Sequence, residues 1–130
     1  MSTRCLIGRE NSDRTIDYIY CHYDGYIDGV GKDLVENYNN PKKVDELIAL
    51  GDLSCLGTTP EATGEYTDDT RYCISYKELG EDSTEARTVQ NLAEFLNVHL
   101  CQQYIYLYRN IENKHRWYIF TDLENVTDGK

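Results

Sequence analysis

The chain has no long apolar run. None of its stretches approaches the roughly 18 consecutive apolar residues that a membrane-crossing helix needs. Arg4, Arg9 and Glu10 interrupt the N-terminal segment where a secretion signal would carry its apolar core. Both absences predict a soluble cytoplasmic protein. Basic residues are scarce as well: 13 Lys and Arg stand against 23 Asp and Glu, a net charge of −10. Such a chain repels a phosphate backbone, so direct nucleic-acid binding is not expected. The five cysteines, Cys5, Cys21, Cys55, Cys73 and Cys101, are odd in number, widely spaced and free of any Cys-x-x-Cys motif. That argues against a secreted disulfide framework and for reduced thiols acting as small core hydrophobes. If a pair did oxidise, Cys5 and Cys21 would be the first suspects, because the first hairpin brings them near each other.

Signatures of catalysis are also missing. There is no Gly-x-Ser-x-Gly elbow and no phosphate-cradling glycine loop. His22, His99 and His115 fall in separate elements, and no zinc or calcium spacing is matched. His22, Asp24 and Asp28 would make a loose oxygen-and-nitrogen site at most. Cys21 and His22 are adjacent, and adjacent strand residues point to opposite faces, so they do not meet. His22 and Asp24 suit an acid–base pair. They suit structure better: Asp24 before Gly25 is good turn chemistry, with a carboxylate able to accept backbone N–H groups. No catalytic residue, metal or cofactor is expected.

What is present describes one domain of 130 residues. Residues 4–9 and 15–23 are rich in β-branched and aromatic side chains around a turn at Asn11-Ser12-Asp13-Arg14, which predicts a hairpin. Both faces of its second strand are apolar, so periodicity does not say which is inward. A helix is predicted from Asp28, as N-cap, to about Tyr38, with Val30, Leu34, Val35 and Tyr38 on its apolar side. A second helix is better marked, by Asn40 as N-cap, Pro41 at the first helical position, the Val44, Leu47 and Ile48 stripe, and Gly51 as terminator. Residues 57–70 read as a long acidic loop, 71–78 as a strand, 84–99 as a helix with Val89, Leu92, Ala93 and Leu96 buried, and 103–109 with 116–120 as a second hairpin. The tail from 122 to 130 is polar and expected to fray. The order ββααβαββ predicts an α+β fold: an antiparallel sheet of two hairpins plus one strand, with helices packed on one face.

Three features suggest recognition. From Glu61 to Glu85 eight acids stand against Arg71 and Lys77; Glu61, Glu65, Asp68, Asp69, Glu78, Glu81 and Asp82 are its candidate contact residues. The twelve tyrosines, against one tryptophan and two phenylalanines, offer large contact area with a polar end. Tyr104, Tyr106 and Tyr108 share one strand face, either as covered core or as an exposed recognition or dimer face. His22, Tyr23, Asp24 and Tyr26 concentrate a titratable ring, a carboxylate and aromatics at a strand end, where folds commonly present function.

Met1-Ser2-Thr3-Arg4, the core His22-Tyr23-Asp24-Gly25-Tyr26 and the run Val44-Asp45-Glu46-Leu47-Ile48-Ala49-Leu50-Gly51-Asp52-Leu53-Ser54 together resemble an uncharacterised family of short phage, prophage and mobile-element proteins. The likeness covers roughly the first half of the chain. The family pattern often has Trp after the His, Pro after the Tyr, and an Arg-Asp-Arg-Gly-Glu-like run after the third strand. Here Tyr23, Ile27 and Lys77-Glu78-Leu79-Gly80-Glu81 stand in those places. Small size, acidity and the lack of catalytic motifs, taken with this resemblance, point to an anti-defence role. The favoured form is a stoichiometric anti-CRISPR inhibitor, as a monomer or a homodimer, whose acidic, tyrosine-rich surface enters the basic nucleic-acid channel of a CRISPR effector in the bacterial host. A rival is a sponge that sequesters a nucleotide immune signal on His22, Tyr23, Tyr26 and Arg71. A small hydrolase using His22 and Asp24 ranks last.

Overall fold

A computed structural model describes residues 3–60, 73–100 and 102–121 of the chain. The strands are β1 (Cys5–Glu10), β2 (Ile16–Cys21), β3 (Leu53–Cys55), β4 (Ile74–Ser75), β5 (Arg87–Val89), β6 (Tyr104–Ile111) and β7 (Lys114–Thr121). The helices are α1 (Lys32–Asn37), α2 (Pro41–Ala49) and α3 (Leu92–Leu96), and a π-helical turn, Ile27–Gly31, leads into α1. The α+β class is as expected. The order is not: three short strands lie between α2 and α3, where one strand was predicted.

One sheet runs β4-β3-β2-β1-β6-β7, with β5 also paired to β2. It is mixed rather than antiparallel. β1 pairs antiparallel with β2 and parallel with β6, and β2 pairs parallel with β3. A strand covered on both faces reads as an unbroken apolar run, and Cys5-Leu6-Ile7 of β1 is such a run. Helices accordingly cover both faces, not one. Cys5, Ile7, Ile19, Cys21, Tyr106 and Tyr108 face α1 and α2 through Leu34, Tyr38, Val44, Leu47 and Ile48. Leu6, Tyr18, Ile105 and Leu107 face α3 through Phe95. The tyrosine stripe of β6 is therefore covered at Tyr106 and Tyr108, which are 2% and 3% exposed.

Helix α2 follows its sequence signals closely. The Asn40 side chain accepts from the Lys43 backbone N–H at 2.9 Å, and Val44, Leu47 and Ile48 are buried. Gly51 ends the segment at φ +79°, and a Cβ there would lie 2.3 Å from the Thr84 carbonyl oxygen. Only glycine meets both demands.

The predicted helix over 84–99 shrinks to α3. Asn91 accepts from Glu94 N–H, and Glu94 reaches back to Gln90 N–H at 2.7 Å. This reciprocal cap starts the helix late and frees Arg87–Val89 to pair with β2. The predicted strand over 71–78 is only Ile74–Ser75. Residues 71 and 72 lie outside the described residues, and Tyr76–Gly80 forms a turn in which Leu79 and Glu81 N–H both donate to the Tyr76 carbonyl. In the second hairpin the strands extend to Ile111 and Lys114, so the turn is two residues, Glu112 and Asn113, both at positive φ.

Asp52 closes a gap in the sheet. The outer edge of β2 is covered by β5 at residues 16–18 and by β3 at Cys21. Between them, among the described residues, no strand reaches the Tyr20 N–H. The Asp52 carboxylate accepts it at 2.9 Å and also holds Arg87 through two bonds of 3.1 and 2.9 Å. Its backbone adds bonds to Thr84 and Tyr76. A second polar cluster joins Arg9 to Asp17 and Asp45, each at 2.5 Å.

Burial works to raise the Asp17 carboxyl. Hydrogen bonds from Thr88 and Asn11 and the charge of Arg9 outweigh it and hold Asp17 below the ordinary carboxylate range. A carboxyl lowered by folding stabilises the protein above its unfolded pKa, and that stability disappears as the pH falls through the folded value. Acid melts of wild type should therefore lose Tm below about pH 4, the ordinary carboxylate range, and Asp17→Asn should flatten that part of the profile. A profile with unchanged slope would remove Asp17 from the acid response. Among the described residues, no helix is long and apolar enough to cross a membrane.

Candidate functional site

The His22-to-Tyr26 segment leaves the sheet where β2 ends. Beyond Cys21 the His22 N–H still bonds the Leu53 carbonyl at 3.0 Å, and the Tyr23 N–H bonds that of Ser54 at 3.1 Å. Asp24 then turns the chain at φ +59°, a left-handed conformation that Asp tolerates better than most residues. The Gly25 N–H donates to the Thr3 carbonyl at 2.7 Å, and the Gly25 carbonyl accepts from the buried Tyr106 hydroxyl at 2.7 Å. One side chain of the core stripe thus anchors the motif.

The chain re-enters helical geometry through a wide π turn, in which Gly31 N–H bonds the Tyr26 carbonyl at 3.3 Å. The Asp24 carbonyl, not its carboxylate, accepts the Val30 N–H at 2.8 Å. A Cβ on Gly29 would sit 2.4 Å from that same carbonyl oxygen, so the turn closes only around glycine. Asp28, expected as an N-cap, makes no cap; Tyr26 holds that position, with no side-chain bond, and Asp28 lies in the first turn. π turns of this kind are frequent at functional sites.

This turn and α1 form one wall of an open cleft of 510 Å³, and Cys55, Leu56 and Thr58 form part of the other. Tyr23, Asp24 and Tyr26 line it together with Asp28, Asp33 and Glu36. Lys32 is its one basic lining residue among those described. Tyr23 and Tyr26 are 44% and 42% exposed. Beside the cleft Ile27 and Val35 are also exposed; Val35 was expected on the buried side of its helix. Four carboxylates next to exposed aromatic rings make a surface suited to cations and to basic side chains, through charge and through the ring faces.

His22 does not line the cleft. Its Nδ1 is 2.8 Å from the Tyr20 hydroxyl, and its ring meets the edge of Tyr23 at a centroid distance of 4.6 Å. It therefore buttresses Tyr23. The structure brings Tyr23, Asp24 and Tyr26 together and leaves His22 behind them, so the His22–Asp24 pairing is not assembled. Among the described residues, no three His, Cys, Asp or Glu side chains gather for a metal ion.

The acidic candidates divide. Glu78, Glu81 and Asp82 are exposed. The Glu78 carboxylate is partly occupied, accepting the Ser75 N–H at 2.8 Å across the turn. Glu61, Glu65, Asp68 and Asp69, with Arg71, lie outside the described residues. Asp33 and Glu36 are the members that sequence reading missed. Their signal is a three-residue spacing on the flank of α1 away from Leu34, which becomes legible once the helix phase is known.

Cys5, Cys21, Cys55 and Cys73 are free thiols, and Cys101 is outside the described residues. Cys5 and Cys21 are register partners, as the hairpin suggested, and both are fully buried. Burial pushes Cys73 up to about 11 and also raises Cys55. Cys55 alone of the four is partly exposed, on the cleft wall. Brief iodoacetamide treatment of native protein should modify Cys55 first of these four, with peptide mass mapping as the readout. Equal labelling of Cys5 or Cys21 would contradict the burial described here. Because folding raises the Cys73 pKa, the unfolded chain ionises first. Stability should therefore fall as the pH rises from the ordinary thiol range toward about 11.

No protein-family model matches the chain, and neither a curated protein nor a solved structure matches it significantly.

Proposed function

We propose that the protein is a stoichiometric anti-defence inhibitor, most specifically an anti-CRISPR protein acting in the cytoplasm of a bacterial host. It binds the basic nucleic-acid channel of a CRISPR effector. The observation that carries this reading is the cleft, where Asp24, Asp28, Asp33 and Glu36 stand beside the exposed rings of Tyr23 and Tyr26. The net charge of −10 supports it by steering the protein toward a positive channel. Tyrosines supply contact area at low entropic cost, and Glu81 and Asp82 are further exposed acids outside the cleft. The resemblance of the first half of the chain to mobile-element proteins supports the biological setting. The nucleotide-sponge reading is weaker, because the carboxylates lining the cleft repel phosphate.

The test is a titration of purified CRISPR effectors, of both single-protein and multisubunit types, in a target-cleavage assay. Cleavage by at least one effector should fall to zero near one equivalent of inhibitor. It should recover when guide-bound target is loaded first. Cleavage unaffected in every effector would overturn the anti-CRISPR form. Nucleotide recovered from protein purified from a bacterial lysate would favour the sponge.

A further inference from the structure

Strand β7 ends the sheet with one neighbour among the described residues. It pairs with β6 without a break from Lys114 to Thr121, and it contains no proline and no bulge. Long edges of this kind are normally blunted, because their free N–H and C=O groups template a further strand. The opposite end of the sheet, β4, is only two residues long. On β7 the charges are confined to the start, at Lys114 and Arg116, while Trp117, Tyr118, Ile119 and Phe120 carry none. Ile119 is 42% exposed.

We infer that β7 is a homodimer interface, pairing antiparallel with β7 of a second copy about a twofold axis at Tyr118. A twofold axis perpendicular to a sheet keeps each residue on its own face, so opposed residues must be of the same parity. Centring on Tyr118 satisfies this. It sets Trp117 opposite Ile119 of the second copy and Arg116 opposite Phe120. The exposed isoleucine gains an aromatic neighbour, and the guanidinium meets a ring rather than its own counterpart.

A second copy is favoured over an unrelated strand for two reasons. The apolar half of β7 is self-complementary in this register. The register also keeps Lys114 and Arg116 of each copy at opposite ends of the paired strands, so the like charges of the two edges do not meet. An interface of one strand pair is at the small end for stable complexes, so the dimer should be reversible.

Sedimentation velocity from micromolar to millimolar protein should show a shift from monomer to twice the monomer mass. Ile119→Lys, at an exposed edge position, should remain monomeric throughout with its melting transition retained. If that variant does not fold, hydrogen exchange of wild type replaces it: β7 amides should become protected as concentration rises, while β4 amides do not. Wild type that stays monomeric at every concentration would overturn the inference. So would an Ile119→Lys protein that dimerises as well as wild type, or protection that rises elsewhere but not in β7.

Discussion

Leu47→Asp should leave the protein without a cooperative melting transition. Leu47 is fully buried among Leu34, Tyr38, Val44 and the sheet residues beneath α2. Losing its transfer free energy costs about 2 kcal/mol, and an unpaired buried carboxylate adds several more. Together these approach the whole stability of a small domain, about 5–15 kcal/mol. Lys42→Asp serves as the control. It is exposed on the same helix, near the N-terminus where the dipole favours an acid, and should keep the wild-type Tm. Circular dichroism melts distinguish the two; a Leu47→Asp protein with a wild-type transition would mean that this face of α2 is not core.

The second large effect is expected at Asp52. Its side chain is 11% exposed and serves both Arg87 and the Tyr20 N–H. Asp52→Ala removes both the Arg87 pair and the carboxylate that accepts the Tyr20 N–H in the gap between β3 and β5. The cost should be about 3 kcal/mol, the low end for breaking a buried pair, because Arg87 is 39% exposed and keeps some water. In thermal melts that is a fall of roughly 10 °C or more. Arg87→Ala should cost clearly less, since Asp52 would still hold Tyr20. Equal losses from the two variants would show that the ion pair, not the backbone bridge, dominates.

These residues also show how far the sequence could be read. Helix α2 was legible end to end because its signals are local: Asn40 caps, Pro41 starts, Gly51 stops, and the stripe repeats at helical spacing. The strands of both hairpins were legible for the same reason. What failed depended on distant partners. β3 and β5 are three residues each and exist because β2 offers them an edge. The apolar spacing of Val89, Leu92 and Leu96 mimicked one long helix, although Asn91 and Glu94 carried a cap signal that marked its true start. The ambiguity of β2, apolar on both faces, was itself the correct observation, since helices cover both faces of the sheet. At the site, Tyr23, Asp24 and Tyr26, neighbours in the motif, do line one cleft. The contribution of Asp33 and Glu36, and the retreat of His22 behind Tyr23, required the π turn, which no local pattern announced.

The central claim is that the cleft is the recognition surface and acts through its charge. The most direct measurement is the association rate of an inhibited effector with wild type and with the quadruple variant Asp24→Asn, Asp28→Asn, Asp33→Asn and Glu36→Gln, over a range of salt concentrations. The account predicts slower association at low salt, by about tenfold or more, a flatter salt dependence, and a melting temperature close to wild type. A quadruple variant that folds as wild type does and associates as fast at low salt would contradict it.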